Sequence, residues 1–292
     1  MAIAILTDSC NDLPLKYIKE NKDILDMVGM PIHMDDLDFV DDMGVTVSHD
    51  QFYDKLRQGM MARTSQITPL DLMGKMKDRV EAGDEVIYFG LSSGLSGTFN
   101  NAVLAKSMLM EDMPEAKIHI VESRSASVGQ GLMISHAIDQ VRAGQPAETT
   151  AQWMDDKQKM AQHWFAVDDL HYLKNGGRIP AALAIIGTAL KIKPVLTVGH
   201  NGKLESYSNI RGRKKSLKFL VEKVNEHVID PEETRLVIGH GNCKEDADKL
   251  KGLIEEAVSF KEIMVTELSA TIASHVGPNM IGLSFIGKER EQ

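Results

Sequence analysis

Glu85-Val-Ile-Tyr-Phe-Gly-Leu91 runs without a break into Ser92-Ser-Gly-Leu-Ser-Gly-Thr98, and a helix is predicted from about Phe99 to Met110. A short apolar run, a turn of glycines and hydroxyls, then a helix is the building unit of an α/β fold. The same unit opens the chain. Ala2 to Leu6 reads as a strand ending in Thr7-Asp8-Ser9, and Leu13 to Asn21 is predicted to be helical, with Pro14 suited to a first turn. It recurs at Ile118 to Glu122, followed by Ser123 and a predicted helix from Gly129 to Val141. This alternation indicates a parallel sheet with helices on both faces.

Between these units, Met27 to His33 reads as one further apolar strand. The acidic stretch Asp35 to Asp42 reads as a loop or hairpin tip, without the glycine and glutamate positions of an EF-hand. Helices are predicted for His49 to Gly59 and from Pro69 to about Glu81, with Thr64-Ser65-Gln66 as the turn between them. After Gly144 the pattern changes. Thr149 to Gln162 reads as a helix and Trp164 to Val167 as a strand. Asp168 to Pro180 forms a polar turn, and the apolar run Ala181 to Leu190 is a buried helix. Pro194 to Val198 and Leu204 to Ile210 are expected to pair around His200-Asn201-Gly202. Helices at Ser216 to His227 and Glu245 to Val258 alternate with strands at Arg235 to His240, Glu262 to Leu268 and Ser284 to Ile286. The expected architecture is α/β: a parallel-sheet N-terminal domain over 1–148 and a mixed α/β C-terminal domain over 149–292.

Composition narrows the function. The 292 residues carry a formal charge of -9, with 33 basic against 42 acidic side chains, which argues against a nucleic-acid binder. The first apolar run is too short for a signal peptide and lacks a basic start, and no run of 18 apolar residues exists to span a membrane. Cys10 and Cys243 lie far apart with no metal spacing, so neither a metal site nor a disulfide framework is expected, and a cytoplasmic setting fits. The 17 methionines read as core filler.

The chemistry of the turns is that of holding an anion. Ser92 to Thr98 places hydroxyls and exposed amides at a helix N-terminus, which either caps the helix or binds a carboxylate or phosphate. It lacks the spacing of a P-loop or of a Gly-x-Ser-x-Gly elbow. Thr7-Asp8-Ser9 and Thr64-Ser65-Gln66 would converge with it on one edge of the sheet. None brings an evident base, since His119 and His136 read as ordinary strand and helix residues. His275, before Val276-Gly277-Pro278, either meets an anion at neutral pH or is a loop residue without a role. Arg211-Gly-Arg213-Lys-Lys215 is the one dense basic cluster, either a solvated helix start or a contact for an acidic or phosphorylated partner.

Taken in order, these segments resemble the DegV family of fatty-acid-binding proteins, which includes the carrier subunit of bacterial fatty acid kinase. The resemblance rests on Thr7-Asp8-Ser9 with Asp12-Leu13, Thr64-Ser65-Gln66 with Pro69, Ser92 to Phe99, and Val121-Glu122-Ser123 with Gly129 and Gly131. In the second half it rests on Asp168-Asp169-Leu170, Leu173, Gly176-Gly177-Arg178, Lys191 to Pro194, Arg211 to Lys215 and His275 to Pro278. It implies a two-lobed α/β fold with an acyl chain such as palmitate buried between the lobes. The carboxylate would lie on Thr64 and Ser96, with Ser65 and Gly97 beside them and His275 near the head group. It also implies a non-catalytic role: an ATP-dependent kinase subunit phosphorylates the carboxylate, with Arg211 and Arg213 as contacts for that partner or its phosphate. No cofactor or metal is implied beyond the bound acid. A stand-alone hydrolase or phosphotransferase and a lipid-sensing adaptor are the alternatives. Three positions depart from the family pattern: Arg63 where a small or hydroxyl residue is frequent, Ile67 where proline is common, and Asn279 where glycine is frequent.

Overall fold

Residues 2–35, 37–180 and 191–290 are described by the computed structural model, so the helix expected at Ala181 to Leu190 lies outside the described residues. The chain begins with β1 (Ile3–Asp8), α1 (Leu15–Glu20) and β2 (Leu25–Val28), then β3 (Pro31–Met34), β4 (Leu37–Val40), α2 (His49–Arg57) and β5 (Ala62–Thr64). It continues through α3 (Pro69–Glu81), β6 (Glu85–Gly90), α4 (Thr98–Asp112), β7 (Ile118–Glu122), α5 (Ser127–Arg142) and α6 (Ala147–Lys157). The four strands β2-β1-β6-β7, in that order, form an all-parallel sheet. Their apolar runs fit burial on both faces.

The remaining elements are β8 (Ala161–Ala166), α7 (His171–Asn175), β9 (Ile192–Val198), β10 (Leu204–Arg211), α8 (Arg213–His227) and β11 (Arg235–His240). They are followed by α9 (Lys244–Ala257), β12 (Glu262–Glu267), α10 (Ala270–Val276) and β13 (Ile281–Ile286). The strands build a six-stranded mixed sheet in the order β10-β9-β8-β13-β11-β12, with β11 and β12 parallel and the other neighbours antiparallel. A parallel sheet and a mixed sheet, both dressed with helices, give the expected α/β class.

Several local readings change: β4 runs through the acidic stretch Asp35 to Asp42, and α7 lies inside the polar turn Asp168 to Pro180. The apolar run Met27 to His33 is not one strand. It breaks at Gly29, where a Cβ would lie 2.4 Å from the Asp41 carbonyl oxygen and from Val40. Beyond the break β3 leaves the parallel sheet and forms a separate three-stranded antiparallel sheet, β4-β3-β5. Nor does His275 lie in a loop: it is in the last turn of the helix α10, capped by Ser269 Oγ accepting from the Ile272 N–H. Its hydroxyls suit a helix interior because they are spent locally or on a buried acid: Ser274 donates to the Ala270 carbonyl at 2.7 Å and Thr271 donates to Asp41.

The two large sheets meet across α5. Its Val128, Leu132 and Ile138 share one core cluster with Ile5, Ile87 and Phe89 of the parallel sheet and with Val237 and Met264 of the mixed sheet. A helix covered from both sides is buried nearly all round, and α5 is so over 127–135, where its polar residues Ser127, Gln130 and Ser135 are all hydrogen-bonded.

Three carboxylates lie buried near the start of α5 with no ion pair among the described residues. Asp8 accepts from the Leu91 N–H at 2.8 Å, the Cys10 N–H at 3.0 Å and the Gln130 amide at 3.1 Å. Asp12 accepts from Ser127 Oγ at 2.5 Å and from the Ser269 N–H at 2.8 Å. Asp41 accepts from the Thr271 N–H at 2.8 Å and the Thr271 hydroxyl at 2.5 Å. Each acid joins loops far apart in the chain. Asp12 alone couples the first strand's turn to the start of α5 and the cap of α10.

Burial lifts the Asp12 carboxyl from 3.8 to about 7, against the opposing bonds from Ser127 and Ser269. Between those values the folded chain holds a proton that the unfolded chain has lost. The stability from this group is therefore complete below the unfolded value and is lost as pH rises toward 7. In urea titrations, the unfolding free energy of wild type relative to Asp12→Asn should fall between about pH 5 and pH 7, with a slope approaching ~1.4 kcal/mol per pH unit. A difference that does not change with pH would contradict this account.

Candidate functional site

A cavity of about 430 Å³ opens where the turns of the parallel sheet face the mixed sheet and α10. That lies in the range of roughly 300–1,000 Å³ typical of small-molecule sites. Its walls are largely apolar. Met30, Leu91, Leu95 and Ala126 line it from the first half of the chain, and Phe165, Leu173, Val198, Leu204, Ile272, Val276 and Met280 from the second. The polar lining comes from the ends of several elements. Thr64 ends β5, Ser65 and Gln66 come from the turn after it, Ser96 from the turn after β6, and Arg178 from the turn after α7. His275 comes from the last turn of α10. Ser65 and Gln66 are exposed, so this end of the cavity meets solvent.

Thr64 Oγ1 and His275 Nε2 are 2.9 Å apart. The other ring nitrogen, Nδ1, is buried without a partner among the described residues. Gly176 makes room for it, since a Cβ there would lie 2.3 Å from Nδ1. Burial, reinforced by the nearby Arg178 cation, lowers the His275 pKa to about 4. The ring is therefore neutral at physiological pH, and its partnership is with a hydroxyl. If Nε2 carries the proton and donates to Thr64, the Thr64 hydroxyl proton is free to point at a ligand. Ser96 Oγ lies 3.1 Å from Thr98 Oγ1 and accepts from the Thr98 N–H, the first amide of α4, at 3.3 Å, while Ser96 lines the cavity wall.

The positive charge is supplied by Arg178, the one cation lining the cavity among the described residues. Its Nε donates to the Leu95 carbonyl at 3.1 Å and its Nη1 donates to the Gly176 carbonyl. Sequence reasoning gave Arg178 no role, although a lone arginine after two glycines and before an apolar run was a usable signal.

Of the residues expected at the site, Thr64, Ser65, Ser96 and His275 line one cavity. Gly97 is not in the lining. It precedes α4 and packs its bare Cα against the Gln66 side chain, where a Cβ would lie 2.6 Å from the amide. The Thr7-Asp8-Ser9 turn joins the site only through its neighbour Cys10. Thr7 Oγ1 donates to the Phe89 carbonyl at 2.8 Å, and Ser9 Oγ accepts from the Met30 N–H at 3.0 Å. Arg213 is committed elsewhere: it pairs with Asp168 at 3.2 Å and Asp246 at 3.1 Å and donates to the Asn279 carbonyl. Arg211, Lys214 and Lys215 are exposed and form no ion pair among the described residues.

The three unusual positions also find their reasons. Arg63 is exposed and does not line the cavity. Ile67 is buried and its N–H donates to Thr98 Oγ1 at 3.4 Å, a bond proline could not make. Asn279 has a φ of +62°, a left-handed conformation that glycine favours and asparagine tolerates, and its amide donates to Asp168 at 3.0 Å.

Catalytic chemistry is poorly served here. Thr64 and His275 form a hydroxyl–imidazole pair, but among the described residues no carboxylate orients Nδ1, and a ring with a pKa near 4 is a weak base. Cys10 lines the cavity with its thiol pushed well up by burial and by Asp8, so it is no ready thiolate. Cys10 and Cys243 are both free thiols, and no metal-binding cluster is found among the described residues.

A family model described as "Uncharacterised protein, DegV family" matches residues 2–288. The chain belongs to the DegV family. A DegV domain-containing protein of Clostridium perfringens is 34% identical over 287 residues, 98% of each chain. Among solved structures, a DegV lipid-binding protein from Thermotoga maritima aligns over 100% of both chains with a TM-score of 0.87 and 26% identity. A stearic-acid-binding protein from Eubacterium ventriosum aligns over 98% of both with a TM-score of 0.86 and 26% identity. The DegV family thus includes proteins of this fold that bind fatty acids, and the cavity of this DegV chain lies between its two large sheets.

By ¹⁵N NMR, His275 should titrate with a midpoint near 4 rather than the ordinary 6.5. Gly176→Ala should force the ring away from Thr64 and move the midpoint up toward 6.5. A wild-type midpoint at the ordinary value would overturn the packing described for this ring.

Proposed function

We propose that this protein binds a long-chain fatty acid such as palmitate, tail in the apolar cavity and carboxylate at the solvent-facing end, and presents that carboxylate to an ATP-dependent kinase subunit for acyl-phosphate formation. The observation that carries the reading is the division of the cavity. Hydroxyls of Thr64 and Ser96, the neutral His275 and the Arg178 cation come from separate elements to one end, while the walls beyond are mostly hydrocarbon. Each buried methylene contributes ~0.8 kcal/mol before the costs of association. The polar set fixes which end of the acid faces out.

The role is that of a carrier, a non-catalytic subunit. The polar groups suit a carboxylate, and among the described residues the hydroxyl–imidazole pair has no acid that would turn it toward hydrolysis. Exposure of Ser65 and Gln66 beside Thr64 leaves the head group open to a docking enzyme. Arg211, with Lys214 and Lys215, supplies the unpaired positive charge for the partner or its phosphate; Arg213 supports the same corner by holding Asp168 and Asn279. The setting is cytoplasmic. Among the described residues no helix is long and apolar enough to cross a membrane.

Calorimetry with palmitate on a delipidated sample tests binding. The Thr64→Ala/Ser96→Ala variant should lose about 1.5–3 kcal/mol for each charge-assisted bond removed. Unchanged affinity would exclude these hydroxyls as the carboxylate site. Presentation is tested separately, by pull-down of a kinase subunit from native lysate followed by an acyl-phosphate assay with ATP. Acyl-phosphate formed by this chain alone would refute the carrier role.

A further inference from the structure

His163 lies in β8, buried, and lines the same cavity with its Nε2 unpartnered among the described residues. The other ring nitrogen is turned toward α5. Nδ1 lies 3.5 Å from Ser125 Oγ, and a Cβ on Gly129 would come within 3.2 Å of it. His163 and Phe165 are two residues apart on one strand, so their side chains share a face, about 7 Å apart along the strand. Their ring centroids lie 5.5 Å apart. Phe165 in turn packs with Leu173, Val276 and Met280, the apolar group next to His275. His163 therefore sits beyond Phe165 as seen from the carboxylate end, beside the body of the bound chain.

An unpaired imidazole nitrogen in an apolar channel is costly, and phenylalanine or leucine would fill the same space without that cost. The cost is removed if the ligand brings a polar group to this depth. Burial lowers the His163 pKa to about 3, so the ring is neutral and offers either one N–H or one lone pair at Nε2. A hydroxyl can answer both, because it donates as well as accepts. A second carboxylate would need a cation that His163 does not supply.

Building on the fatty-acid reading, we propose that His163 selects acyl chains carrying a hydroxyl group part-way along the hydrocarbon, so that the preferred cargo is a hydroxy fatty acid. The test is competitive binding of stearic acid and of stearic acids hydroxylated at successive mid-chain carbons, on wild type, His163→Phe and His163→Gln. One positional isomer should bind wild type about fivefold to tenfold more tightly than stearate, the worth of one net hydrogen bond. His163→Phe should lose that preference while keeping or improving stearate binding, and His163→Gln should keep part of it. Equal binding of all isomers and stearate to wild type would overturn the proposal, as would a preference that survives in His163→Phe. Stearate binding in that case would leave the fatty-acid reading standing; failure of every acid to bind would remove both.

Discussion

The structure depends on three carboxylates held in the interior by hydrogen bonds alone. Asp8, Asp12 and Asp41 have no ion-pair partner among the described residues, yet each is buried and accepts bonds from backbone amides or hydroxyls. Burying a charge in this way is expensive, and the raised pKa of all three records it. What the arrangement secures is position. Asp12 clamps Ser127 and Ser269, and Asp41 clamps Thr271, so the starts of α5 and α10 are locked to the first turn of the chain.

That locking explains why a cavity survives between two well-packed sheets. Leu132 and Ile138 of α5 join the cores, and the cavity opens beyond the helix start, where the clamped loops meet. The hydroxyls of Thr271 and Ser127 line the cavity but spend their protons on Asp41 and Asp12. The groups left to meet a ligand gather at Thr64, Ser96, His275 and Arg178. Neutral donors backed by one fixed cation suit retention of an anion without attack on it. The same economy of partners makes the solitary nitrogen of His163 conspicuous in the hydrocarbon wall.

Local signals made much of the fold legible. Pro69–Glu81 could be bounded because Thr68 caps the helix and proline occupies its first turn. Ile118–Glu122 and Arg235–His240 could be bounded because short apolar runs end at hydroxyls or glycine. What escaped was set by contacts distant in sequence. Gly29 breaks a strand because Val40 and Asp41 press against it, and α10 is helical because its polar residues find buried partners 230 residues away. At the site, Thr64, Ser65, Ser96 and His275 were accessible through their turns, aided by family resemblance. Arg178 carried a signal that was passed over, and His163 carried none, since its unpaired nitrogen does not exist until the two halves of the chain meet.

The central claim is that the space between the sheets holds a single long hydrocarbon chain ending in a carboxylate. Native mass spectrometry of freshly purified protein, with the released ligand identified after extraction, tests it most directly. The account predicts a protein heavier than its chain by one long-chain fatty acid, reverting to the bare chain mass on delipidation. Protein at the bare chain mass that takes up no added fatty acid would contradict it.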